Sequence, residues 1–376
     1  MEYSWSLLLI SIFVYIISIF VAKPQITYKN PQRNNEKKGT IAFFLLLMIN
    51  SVFAFWEYDT YHYWDMFIFA NQYQMYDVWE YEEVYNWLAM VVGRNFWLWR
   101  ACIWIPACLF MYWSAKRLDL LNRNFLVAML LFGSFLSYTR GMLGHTMLVL
   151  GAVLFMDKKS DTFTKIIGLA IVCVSYYFHK SMFVNIIFAV LALFPFGKKT
   201  IVVSLIAFPF LTAIATYLIN GITIGQIDMA LGEGVGGSNA SSSFIMSIAG
   251  AEKMVANTYG KISDLFTITS ECLALLYLYY NVMIRKIFDS KEKVFIYLFR
   301  LTYIAYYIAS LFYFVETSSW IYSRFKYMSF FPMVFVLGAV WSKEKCSSRW
   351  IKFIILLQAV NVSFMLCYRF YKWFGI

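Results

Sequence analysis

A chain of 376 residues that is 61% apolar, 21% aromatic and only 14% charged, with a mean hydropathy of +0.63, is too apolar for a water-soluble domain. Cytoplasmic enzymes, secreted disulfide scaffolds and DNA-binding modules are excluded, and the length suits roughly 10 to 14 transmembrane helices of about 20 residues each. The formal charge of +11 would need a contiguous basic face to serve a nucleic acid, and the lysines and arginines are instead scattered through short breaks.

In chain order, apolar runs fall at about 5–22, 41–56, 95–114, 124–139, 141–156, 164–178, 181–195, 200–220, 264–284, 294–315, 324–341 and 350–368. They predict an all-α, polytopic integral membrane protein of about 12 transmembrane helices, with residues 1–376 forming a single transmembrane domain. Met1-Glu2-Tyr3 lacks the basic start of a cleaved signal, so the first run is expected to remain as a helix. Runs between Phe125 and Pro195 are short, which predicts tilted helices meeting inside the protein. The six cysteines sit in or beside apolar runs without C-x-x-C spacing and read as small apolar packers.

Basic residues in short loops are retained on the cytoplasmic side. Breaks after the odd-numbered runs hold 21 of the 32 lysines and arginines, among them Lys116, Arg117, Lys158, Lys159, Lys198, Lys199 and Lys343. The acids divide in the reverse sense, seven to fourteen. Both termini are therefore expected outside the cytoplasm, and anionic lipid is the counter-charge for the net +11.

Two outer loops exceed connector length. Residues 57–94 are aromatic and acidic, with Asp59, Tyr63, Glu82 and Glu83 among them. Rings beside carboxylates suit a sugar-binding surface, and an interfacial aromatic belt suits the same residues. Residues 221–263 are rich in Gly and Ser and read either as a mobile lid or as flexible filler. Their formal G-x-G-x-x-G match carries nothing, because no βαβ unit surrounds it.

A charge at membrane depth is functional by default unless it is paired or hydrated. Arg140 falls in a one-residue polar break and is expected at an inner bend, His179 falls in a similar tight break, and Arg324 opens the eleventh run. All three lie on the predicted outer face, with Asp59, Glu82 and Glu83 available from the first loop. Guanidinium groups grip phosphate bidentately, and an imidazole or carboxylate takes a proton from a hydroxyl, so the set suits a lipid-linked diphosphate. The plainer readings are that Arg324 and Lys326 snorkel to headgroups and that His179 packs at a helix end. His62 and His145 read as structural, while Glu271 and Arg300 read equally as an ion pair or as substrate contacts. There is no Asp-x-Asp or H-E-x-x-H, so neither a metal nor a cofactor is expected.

The order Asp59-x-x-x-Tyr63, Glu82-Glu83-Val84-Tyr85, Arg140, Phe178-His179-Lys180-Ser181 and Arg324-x-x-Tyr327 resembles the EpsG family of Wzy-type polysaccharide polymerases over about residues 40–345. The chain departs from that family's frequent Glu-Pro at Glu82-Glu83 and Arg-Gln at Arg140-Gly141. The resemblance implies a GT-C-like, metal-independent membrane glycosyltransferase acting at the periplasmic face of a bacterial inner membrane. It would join undecaprenyl-diphosphate-linked repeat units into O-antigen or capsular polysaccharide. Donor and acceptor glycans, membrane lipid and a chain-length regulator are the expected partners. His179, Asp59, Arg140 and Arg324 would be catalytic, with Arg140, Arg324, Glu82, Glu83, Tyr63, Lys180 and Tyr327 binding substrate. The rivals are a flippase or transporter of the same lipid-linked oligosaccharide, an O-antigen ligase and, less simply, a membrane O-acyltransferase using His179.

Overall fold

The computed structural model describes residues 83–93, 95–132, 139–179, 182–221, 258–289, 292–313 and 319–343, together with parts of 41–52, 63–67 and 353–360. Every regular element among these residues is helical. The elements are α1 (Glu83–Val91), α2 (Phe96–Arg117), α3 (Arg123–Phe132), α4 (Thr139–Met156), α5 (Thr162–Val174) with a 3-10 turn at Ser175–Phe178, α6 (Met182–Leu191), α7 (Lys198–Gly221), α8 (Thr258–Tyr279) with a π turn at Tyr280–Ile284, α9 (Lys293–Leu311) and α10 (Ser319–Lys343). Four helical stretches are long and apolar enough to cross a membrane: Phe96–Arg117, Lys198–Tyr217, Lys293–Leu311 and Phe325–Lys343. The expected run at 5–22 and most of the Gly/Ser-rich stretch 221–263 lie outside the described residues.

Three differences from the sequence reading bear on the site. The stretch 57–94 is not wholly loop, because α1 forms inside it. Arg140 lies inside α4, as its second residue, and not at a bend. Helix α10 starts at Ser319, so Arg324 lies in its second turn. All three share a cause. The polar residues there are short or amphipathic and tolerate helix, so hydropathy marks where apolar runs stop and not where hydrogen-bonded turns stop.

Helix α10 is the centre of the bundle, buried around its whole circumference from Met328 to Val340. Helices α9 and α3 pack along it, and a Cβ added at Gly338 would meet Phe125 Cα at 2.9 Å. Helix α7, by contrast, exposes Val202, Val203, Ile206, Phe210, Ile214 and Tyr217, the apolar surface of a peripheral helix. It is held to α9 by the Tyr307 hydroxyl donating to Ser204 O at 2.6 Å and by Ser204 Oγ against Tyr303 Oη at 2.6 Å.

Helices α4 and α5 form a hairpin whose backbones touch. A Cβ on Gly151 would stand 2.5 Å from Gly168 O, and one on Gly168 would stand 2.7 Å from Gly151 O. Small residues give close helix packing where water supplies no driving force between apolar surfaces. Asp161 caps α5, accepting from Thr164 N at 2.9 Å. The hydrogen bonds from Thr164 hold the Asp161 carboxyl below the usual carboxylate range.

One end of the bundle gathers basic turns. Arg117 Nε reaches Asp157 at 2.6 Å and its Nη2 donates to Ser160 Oγ at 3.1 Å, joining the C-termini of α2 and α4. Asn124 Nδ2 donates to Trp341 O at 3.3 Å, and Lys343 pairs with Glu292 and donates to Ile287 O, which adds the start of α3, the end of α10 and the start of α9. This is the basic end, and the opposite one is the far end.

Candidate functional site at the far end

Helices α4 and α10 both run from the far end to the basic end, so their first turns share the far end. The backbone thereby carries Arg140, in the first turn of α4, and Arg324, in the second turn of α10, to the same end of the molecule. At about 1.5 Å per residue, Arg140 stands about 26 Å from Asp157 and Arg324 about 28 Å from Lys343. The backbone thus brings the two helix starts to one end of the bundle.

His179 joins them through α4. Ser175 and Met182, which flank it, both lie against Gly144: an added Cβ there would meet Met182 Cγ at 2.9 Å and Ser175 O at 3.3 Å. Gly144 is one helical turn from Arg140. His179 itself is extended, at φ −166° and ψ 126°. Its amide donates to Tyr176 O at 3.3 Å and its carbonyl accepts from Met182 N at 2.8 Å. A residue with extended backbone must stand here, because the 3-10 turn ends and α6 begins within four residues. The residue is only 2% exposed, shielded from bulk solvent.

The first aromatic-acidic stretch reaches His179 by ring packing. Tyr63 lies 5.4 Å from Trp99, Trp99 lies 6.0 Å from Tyr85, and Tyr85 lies 6.4 Å from Phe178, the neighbour of His179. Trp99 Nε1 also donates to Tyr85 O at 3.2 Å. Tyr63 and Tyr85 are both buried, so their rings are the wall that ties α1 and α2 to the His179 segment and not an open stacking platform. Glu83 opens α1, two residues before Tyr85. Tyr327 is half-buried, edge-on to Phe330 at 6.3 Å. Phe325, next to Arg324, packs on Phe188 at 5.6 Å and Phe312 at 5.9 Å, bringing α10 to α6 and α9. Asp59, Glu82 and Lys180 lie outside the described residues.

Buried charges elsewhere find structural partners. Glu271 and Arg300 do not meet. Glu271, fully buried on α8, pairs at 3.0 Å with Lys326 on α10, which also lies over the Phe330 ring at 5.4 Å. Lys326 is therefore an internal cation and not a snorkelling one. Arg300 stands over the Phe196 ring at 5.4 Å, about two turns from the start of α9. Arg100 is fully buried, and donates from Nε to Val52 O at 2.8 Å and from Nη2 to Ser51 O at 2.7 Å. Its position inside the apolar run Trp97–Cys102 was the available signal. Arg100→Met leaves those carbonyls without their charged donor and is expected to destabilise by roughly 3 kcal/mol, read as a lower Tm in detergent.

Across the same junction, His145 Nδ1 meets Gly141 O, Asn185 Nδ2 stands 3.3 Å from His145 Nε2, and the imidazole stacks on Phe331 at 5.3 Å. Among the described residues no three His, Cys, Asp or Glu side chains gather in a way that could hold a metal ion.

Comparison with protein-family models, curated proteins and solved structures finds no match. The functional reading therefore stands on the sequence pattern and on the far-end geometry.

Proposed function

We propose that this protein is a membrane glycosyltransferase of the Wzy type. In this reading about 12 helices of GT-C-like arrangement sit in a bacterial inner membrane, the basic end faces the cytoplasm and the far end faces the periplasm. The reaction is extension of an undecaprenyl-diphosphate-linked glycan. An acceptor hydroxyl of one lipid-linked repeat unit attacks the anomeric carbon of the donor glycan. The carbon–oxygen bond to phosphate breaks, undecaprenyl diphosphate leaves, and the hydroxyl proton passes to a base. Arg140 and Arg324 neutralise the departing diphosphate, a role that in this chain needs no metal. His179 or Asp59 takes the proton, since a sugar hydroxyl is a weak nucleophile at neutral pH. Glu82, Glu83, Lys180 and Tyr327 are the remaining substrate contacts.

The observation that carries the reading is the convergence of three separate segments, those of Arg140, His179 and Arg324, at the end opposite the basic turns. A site recessed among short helices would exclude water, and there guanidinium–phosphate attraction is strong.

The test is chain extension by purified protein in proteoliposomes supplied with lipid-linked repeat units. Longer lipid-linked glycans without transfer across the bilayer support the polymerase. Translocation without extension identifies a flippase, and transfer to lipid A alone identifies a ligase. Within that assay His179→Ala and Asp59→Asn are expected to separate: the variant that loses about 100-fold or more in rate has lost the base, and the one that still extends has not.

A further inference from the structure

His145 lies where three helices meet, and each of those helices continues into one of the candidate residues. Its ring spans them. Nδ1 meets Gly141 O, a carbonyl that can only accept, so in the neutral ring Nδ1 carries the proton and Nε2 is left as an acceptor. The Asn185 amide then donates to Nε2 at 3.3 Å, and the opposite orientation of that amide would set two lone pairs against each other. The Phe331 ring stacks on the imidazole, 23° from parallel. Gly141 follows Arg140. Asn185 is in the first turn of α6, whose Met182 amide donates to the His179 carbonyl. Phe331 is two turns along α10 from Arg324.

We propose that His145, as a neutral Nδ1–H imidazole, is the positioning residue of the far-end site, with Asn185 as its partner. Together they fix the relative register of the segments carrying Arg140, His179 and Arg324. Both are fully buried, and Asn185 Oδ1 has no hydrogen-bond partner among the described residues. An apolar pair of similar shape would fill this core without that cost, so stability alone does not account for a polar pair here. What the pair adds over apolar packing is direction: the Nδ1 bond to Gly141 O, inside α4, holds the ring, and the one hydrogen bond to Asn185 of α6 together with the stacked Phe331 of α10 then favours a single register. Placement matters at this level because transfer depends on guanidinium groups and base standing at fixed distances from the reacting carbon.

This inference rests on the glycosyl-transfer reading, and its test separates the two. His145→Phe keeps the ring stack and removes both hydrogen bonds, Asn185→Leu keeps the volume and removes one, and His145→Gln keeps an amide that can restore part of the set. Each is purified as a monodisperse protein and assayed for chain extension and for binding of farnesyl diphosphate, a short polyprenyl diphosphate. His145→Phe and Asn185→Leu are expected to lose about tenfold or more in kcat with KM changed less, and their double variant to lose no more than either alone. His145→Gln is expected to recover part of the rate, which a role confined to packing would not give. Full rates in folded His145→Phe and Asn185→Leu beside an active wild type overturn the positioning role and leave the transferase reading standing. A wild-type protein that neither binds the diphosphate nor extends chains overturns both.

Discussion

Arg140→Lys and Arg324→Lys are each expected to cut chain extension by about 100-fold or more while leaving the protein folded. The substitution conserves charge, so the general attraction of the far end for an anion survives. What is lost is the planar fork that presents two parallel N–H groups to two phosphate oxygens. In the proposed displacement the diphosphate gains charge as the bond to the anomeric carbon breaks, and a donor aimed at that charge lowers the barrier more than it tightens ground-state binding. The deficit should therefore appear mainly in kcat. Both arginines lie in the opening turns of helices that run to the basic end, away from the Arg117–Asp157 and Lys343–Glu292 pairs that anchor it. Thermal stability should accordingly stay near wild type. The measurement is the length distribution and rate of glycan extension in proteoliposomes, and wild-type polymer from either lysine variant would remove that arginine from the site.

Gly151→Val is expected to be the most damaging single change to the fold, at more than about 3 kcal/mol. A carbonyl of α5 stands where the new Cβ would be, and backbone cannot rotate aside as a side chain can. The hairpin of α4 and α5 would have to open, taking with it the α4 face on which Ser175, Met182 and so His179 rest. Gly168→Val should behave alike, since its Cβ meets Gly151 O. Gly197→Ala is the control: nothing lies within 4 Å of its added Cβ, and its effect should be within a few tenths of a kcal/mol. Size-exclusion profiles and Tm in detergent distinguish the three, and a monodisperse Gly151→Val protein of unchanged Tm would refute the steric argument.

Much of the helical layout was legible in the chain. The runs at 95–114, 141–156, 294–315 and 324–341 correspond to α2, α4, α9 and α10 within a few residues, because apolar length is a direct consequence of hydrocarbon surroundings. Of the runs between Phe125 and Pro195, α6 is short at ten residues and α5 has thirteen before its 3-10 turn, whereas α4 extends to eighteen. Helix starts were less legible, and α1 was missed inside an apparent loop, since neither depends on hydropathy. Of the candidate site, the sequence supplied Arg140, His179 and Arg324 as polar residues in or beside apolar runs. It gave His145 a structural reading and put Lys326 with headgroup cations, whereas the fold makes the first a three-helix junction and the second the partner of Glu271.

By itself, then, the sequence determined that this chain is helical, as its described residues are, and apolar enough for a membrane, because those properties follow from composition and the spacing of polar breaks, which are local. Only the tertiary structure decided which charges are partners. Arg100 donates across more than forty residues to Ser51 and Val52, Glu271 pairs with Lys326, and Arg140, His179 and Arg324 come to one end. Those relations depend on which helix faces meet and at what register, and that is set by contacts between residues far apart in the chain, such as Gly151 with Gly168 and His145 with Asn185 and Phe331.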